Sequence, residues 1–180
     1  RAFANDPARH IAEFDAWRTA IESGDPDRII AASDAVLAGS KGCERLIAEV
    51  VRTLGVRDES ASKVYRWADA AMRAHAWHHS VTLNSIAWFI ADDANAKAPD
   101  LELAQAAAER AVELTREQDG TVIDTLALVC FKRGDVGRAL ALQGLPPRRE
   151  RDLVGGRSEG LGAGPRRRRA MGGVEVLGGE

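Results

Sequence analysis

Proline is missing from the whole stretch between Pro26 and Pro99. Proline removes a backbone donor and breaks helix interiors, so its absence suits a run of long helices. Alternation of apolar and polar residues with period two is missing as well, which excludes a sheet from the expected architecture. Cysteine is scarce. Cys43 and Cys130 form no CxxC and no paired-thiol spacing, so neither a zinc knuckle nor a dithiol redox site is encoded. Each stands among apolar neighbours and reads as a small buried side chain. The longest apolar run, Leu126 to Phe131, falls far short of the roughly 20 residues of a membrane-spanning helix. No signal peptide is recognisable. The chain opens on Arg1 and not on Met, which leaves room for an upstream segment and leaves the compartment open between cytoplasm and periplasm. A strong charge imbalance is missing too. From Gly144 onward eight Arg face five acids, a net +3, so a total of −2 leaves −5 on the body before it. A mildly acidic body is a poor nucleic-acid surface, and no nucleic-acid partner is expected.

What the chain does have is helical periodicity. Its 180 residues suffice for one domain with a real core. Helix one is expected from Pro7 to about Ser23, with Asp6 as cap and Ile11, Phe14, Trp17 (or Arg18) and Ile21 on its apolar side. Gly24-Asp25-Pro26 ends it, caps the next helix and opens it; that second helix reaches about Ala38. Helix three covers about Cys43 to Leu54, with Leu46, Ile47, Val50, Val51 and Leu54 in one stripe. Helix four covers about Glu59 to Ala74. A cap at Ser80 or Thr82 starts helix five, which reaches about Ala91. Helix six runs from Leu101 to Thr115 after Asp100, with Leu101, Ala104, Ala107, Ala108, Ala111 and Leu114 inward and Glu102, Gln105, Glu109 and Glu113 outward. Thr121-x-x-Asp124 has the form of a capping box for helix seven. That helix is apolar almost all round through Phe131, so neighbours are expected on every side. Helix eight spans Asp135 to about Gln143. The expected fold is all-α, with about eight helices in four antiparallel hairpins.

Two of these hairpins read alike. Leu83-Asn84-Ser85-Ile86-Ala87-Trp88-Phe89-Ile90 aligns with Ile123-Asp124-Thr125-Leu126-Ala127-Leu128-Val129-Cys130, and Leu101 and Ala104 in the following helix align with Val136 and Ala139. Small residues at matching places (Ala87 with Ala127, Ala104 with Ala139) are expected where helices cross closely. Self-similarity of this size signals stacked units that cannot bury their apolar faces alone. Gly134-Asp135 also recurs as Gly24-Asp25, which extends the likeness to the first hairpin. Residues 1–143 are therefore expected to form one helical repeat domain, clearest over 81–115 and 121–143.

After Gln143 glycine, proline and arginine dominate, and residues 144–180 are expected to be a disordered tail, since so few large apolar side chains cannot offset ordering entropy. A second origin for that composition is out-of-frame reading of a G+C-rich gene. The break falls where a solenoid calls for a longer closing helix.

The body resembles a divergent tetratricopeptide-repeat array. Its small crossing residues carry the likeness, although the family's tyrosine is replaced by Ile90 and Cys130. Leu83-Asn84-x-x-Ala87-Trp88, Ala107-x-Glu109-Arg110-Ala111-Val112-Glu113-Leu114, Asp124-Thr125-Leu126-Ala127 and Gly134-Asp135 are more narrowly similar to helical repeats that follow thioredoxin-like domains in some bacterial proteins. The resemblance implies a right-handed stack of helical hairpins and a scaffold or accessory role, with a protein or peptide as partner. It supplies no redox site, because the cysteine pair is absent.

Four groups of residues invite a sharper reading. His75 and His79 have the i, i+4 spacing that places two imidazoles on one helix face, with His78 beside them. A metal site needs a third ligand, and surface histidines at a helix junction, or stacked on Trp77, are the simpler reading. Trp17, Trp67 and Trp88 fall on apolar faces and read as core, with ligand stacking as the alternative. Asn84 and Asp124 share one repeat position, suiting either a structural hydrogen bond or contact with a partner. Asp92, Asp93 and Asp100 lack the spacing and glycine of a calcium loop. The expected function is non-catalytic protein interaction, with Asn84, Trp88 and Asp124 as candidate contacts and no cofactor. The alternative is the accessory C-terminal region of a bacterial thioredoxin-like oxidoreductase whose redox domain lies outside this chain.

Overall fold

A computed structural model of the chain describes residues 7–55, 58–92 and 98–144. The expected cap at Asp6 and the expected disordered tail beyond Gly144 lie outside the described residues. Among those described there are eight α-helices and no strand: α1 (Pro7–Ser23), α2 (Pro26–Gly39), α3 (Arg45–Leu54), α4 (Asp58–Ala71), α5 (Ser80–Asp92), α6 (Leu101–Thr115), α7 (Gly120–Lys132) and α8 (Val136–Leu142). A π-helical turn, Met72–Ala76, extends α4.

Aspartates start the helices. Asp25 accepts from the backbone N–H of Asp27 at 2.9 Å ahead of Pro26, Asp100 from Leu103 at 2.9 Å, and Asp135 from Arg138 at 3.0 Å. Each satisfies an orphan donor of a first turn. The expected capping box at Thr121 and Asp124 does not form. Asp119 takes the role, accepting from Thr121 at 3.0 Å and Val122 at 3.4 Å, and α7 starts at Gly120. The reason is local: an Asp cap placed earlier keeps Gly120 and Thr121 in the helix and frees Asp124 for the surface. The two Gly-Asp turns are built alike. Gly24 and Gly134 both have left-handed backbones, with φ of 65° and 87°, and each precedes an Asp cap. At the second turn Asp135 N–H reaches back to Cys130 C=O at 2.9 Å, closing the end of α7.

Packing follows the expected pairing. α1 lies against α2, α3 against α4, α5 against α6 and α7 against α8. α5 also packs on α3, and α7 packs on both α5 and α6. The core holds Ile29 and Val36 of α2, Ile47, Val50 and Leu54 of α3, Val64 of α4, Met72 of the π turn, and Leu83, Ile86 and Ile90 of α5. On α6 the buried stripe is Leu103, Ala104, Ala107, Ala108, Ala111 and Val112. Leu101 and Leu114 are half-buried and pack against the edge of this core, and Leu103, not expected inward, is buried with it. Alanines on this stripe let α5 and α7 approach the helix closely. Tyr65 seals the end of α3, donating its hydroxyl to Gly55 C=O at 2.8 Å.

The ends of the helix array depart most from expectation. Ile11 and Phe14, expected inward, are exposed (64% and 41%), because among the described residues one helix, α2, packs closely on α1 and covers one stripe. Trp17 is half-buried and donates its indole N–H to Ser33 Oγ at 3.0 Å, which ties α1 to α2. Trp67 similarly reaches Asp34 of α2 at 2.7 Å. Phe131, expected in a helix enclosed on every side, is 59% exposed: among the described residues α7 packs on α5, α6 and α8, and no further helix covers this face.

Candidate functional site

The aligned positions of the two similar hairpins end in different surroundings. In the earlier hairpin α7 lies against both helices, and Ala87, Ala91, Ala104 and Ala108 are all at most 3% exposed. In the later hairpin the matching positions are Ala127, Phe131, Ala139 and Gln143. Ala127 and Ala139 stay buried, but Phe131 is 59% exposed and Val136, the match of half-buried Leu101, is 47% exposed. Between α7 and α8 runs an open apolar groove of about 310 Å³. Buried Ala127 and Ala139 form its bottom. Leu128 and Phe131 of α7 face Val136 and Leu140 of α8 across it. Among the described residues, then, no helix fills the groove of α7 and α8, whereas α7 packs against both helices of the matching pair.

Polar groups shape the rim. Asp124 accepts from Gln143 Nε2 at 2.9 Å, bridging the two helices at one end. Arg138 pairs with Glu109 at 2.8 Å, and Gln105 donates to the same carboxylate oxygen at 2.8 Å, so α8 is held against α6. Lys132 and Arg133 stand exposed at the C-terminal end of α7.

The three residues singled out from the sequence fare differently. Asp124 lies on the groove and makes the structural hydrogen bond its position suggested. Trp88, read as a core aromatic, is 41% exposed on α5 and does not line the groove. Asn84 is half-buried, and its Oδ1 is shielded from solvent without a hydrogen-bond partner among the described residues, so the structural bond expected of it is not formed by that atom. Leu128, Phe131, Val136 and Leu140 were missed as surface residues. The signal for them was the likeness of the two hairpins: Leu128 matches exposed Trp88, and among the described residues no further helix covers α7 and α8 as α7 covers α5 and α6.

The histidines gather no metal site. His75, His78 and His79 are exposed, and among the described residues no group of three His, Cys, Asp or Glu side chains comes together. The π turn and the break at Trp77 separate His75 from His79, which precedes α5. His79 faces Glu44 at 3.7 Å, within a polar cavity of about 440 Å³ between the starts of α3 and α5. The histidines take the surface alternative, and arginines flank Trp77: the guanidinium of Arg73 lies 5.0 Å and that of Arg110 5.7 Å from the ring centre. Arg110 also donates to Trp77 C=O at 3.1 Å and pairs with Glu113 at 2.9 Å.

Neither thiol is activated. Burial pushes the Cys130 thiol up, and the charges of Asp135 and Glu109 push the same way against Arg138. Burial is also the main cause of a raised Cys43 thiol, with Ser40 opposing and Glu44 adding to it. Both cysteines are free. A raised thiol holds less thiolate at neutral pH and is a weaker nucleophile. No helix among the described residues is long and apolar enough to cross a membrane. Comparison with known proteins returns no matching family model, no matching curated protein and no matching solved structure.

Proposed function

We propose that residues 7–144 form a right-handed stack of antiparallel α-hairpins of the tetratricopeptide-repeat kind, and that the stack works by binding a protein or peptide, with no chemistry of its own. The observation that carries this reading is the open groove between α7 and α8, set beside the matching groove of α5 and α6 that α7 occupies. A surface built on the same plan takes the same class of occupant, an amphipathic helix laid between two helices. Covering the exposed parts of Phe131 and Val136 is worth on the order of 1 kcal/mol each by area, so a helix with matching apolar side chains gains from docking. Asp124 at the rim supplies a polar anchor. Trp88 and Asn84 on α5 are assigned as further contacts, lying on the same stripe one helical turn apart.

The test is selection from a displayed library of short amphipathic helices against the native chain. Selected helices are expected to lose binding to Phe131→Glu and Val136→Glu and to keep it against Ile11→Glu, whose exposed side chain lies on α1, away from the groove. Failure to select any helix that depends on Phe131 or Val136 contradicts the reading.

A further inference from the structure

The groove has one occupant whose chemistry is already on the page. We infer that the partner seated on it is a second copy of this chain, bound through α7 and α8 about a two-fold axis at Leu128. This rests on reading the groove as a helix-binding surface and names the helix. The outward stripe of α7 runs Asp124, Leu128, Lys132 at intervals of four, so all three share one face. Asp124 and Lys132 stand at equal distances on either side of Leu128, about 6 Å each along the axis. When two such helices pair antiparallel, Asp124 of each copy therefore meets Lys132 of the other, and Leu128 meets Leu128. Both charged residues are exposed, and Lys132 makes no ion pair with a described residue. The pairing is self-complementary, which a two-fold interface requires.

Shape agrees with charge. Phe131 projects beside Lys132 and is largely exposed. In the antiparallel pair it is carried toward the Asp124 half of the facing groove, between Leu128 and Leu140, above the buried Ala127 and Ala139. Small residues there admit a large side chain at helix-packing distance. The helix dipoles also run opposite ways, so each N-terminal end faces a C-terminal end. Parallel pairing, by contrast, would set Asp124 against Asp124 and Lys132 against Lys132.

Sedimentation equilibrium of the full chain over a concentration series tests the inference. The native chain is expected to be a reversible dimer. Asp124→Lys alone and Lys132→Asp alone are each expected to raise the dissociation constant by about tenfold, since each creates like-charge contacts twice over. The doubly swapped variant is expected to return to within a few-fold of the native value. Phe131→Asp is expected to give monomer, and Ile11→Asp to leave the dimer intact; circular dichroism confirms that each variant is folded. A native monomer at all concentrations overturns the inference, as does a dimer indifferent to Phe131→Asp or one that the double swap fails to restore. A monomer that still binds selected helices through Phe131 removes the second copy and leaves the groove reading standing. A monomer that binds none removes both.

Discussion

Enlarging one alanine in each of the two matching hairpins separates a filled groove from an empty one. Ala104 of α6 is fully buried, with α7 packed over its helix. Ala104→Leu inserts three carbons where there is no room, and overpacking of that kind costs about 1–3 kcal/mol. With a urea slope of about 1–3 kcal/mol per molar for a small domain, the unfolding midpoint should fall by about 1 M with the slope unchanged. Ala139 of α8 holds the matching place and is 7% exposed, but it opens onto the groove of about 310 Å³. Three carbons added there enter free space beside Leu128 and Leu140. Ala139→Leu should therefore change stability by no more than about 0.5 kcal/mol. Urea melts followed by tryptophan fluorescence read both, at concentrations low enough that association does not contribute. Equal penalties would show that the groove of α7 and α8 is closed in solution. A tolerated Ala104→Leu would show that α7 does not seal α6, and with it the repeat register would fall.

Three other expectations follow from named contacts. Arg110→Ala removes the hydrogen bond to Trp77 C=O, the ion pair with Glu113 and one of the two cations on the Trp77 ring, and should lower stability by about 1–3 kcal/mol in urea melts; a loss no larger than that of exposed Arg18→Ala would refute the cluster's role. Tyr65→Phe leaves Gly55 C=O without its 2.8 Å hydroxyl donor at a 4% exposed site, and should cost about 1–2 kcal/mol with the secondary structure unchanged. Cys130 should label slowly with a thiol reagent in the native state and quickly once unfolded. Its raised thiol contributes stability that is fully present below the unfolded thiol pKa and is lost as pH rises through the higher folded one, so Cys130→Ala should flatten the alkaline fall in melting temperature; an unchanged alkaline fall would contradict that assignment.

Helix number, order and most boundaries were legible because they rest on local chemistry. Glycine and aspartate at Gly24-Asp25 and Gly134-Asp135 punctuate the chain, and the stripes of α3 and α6 repeat every three or four residues. The cap of α7 was misplaced because Asp119 and Thr121 are both competent caps two residues apart, and sequence alone does not rank them. The π turn at Met72–Ala76 left no trace, since every residue in it is compatible with an ordinary helix. Exposure at Ile11, Phe14 and Phe131 was misread for a different reason. An apolar stripe marks a face that seeks a partner, whereas burial depends on whether a neighbour is present, and the outermost helices have fewer neighbours. The groove was hidden for the same reason, although the alignment of α5 with α7 already placed its residues.

Methyl NMR with a helix selected on the native chain tests the central claim most directly. Leu128, Val136 and Leu140 line the open groove, while Leu83 and Ile86 are fully buried in α5. On titration of that helix, the methyl signals of the first three are expected to shift together and saturate, with those of Leu83 and Ile86 nearly still. Shifts that leave Leu128, Val136 and Leu140 unmoved, or that map to α1 and α2, would contradict the assignment of the groove as the binding surface.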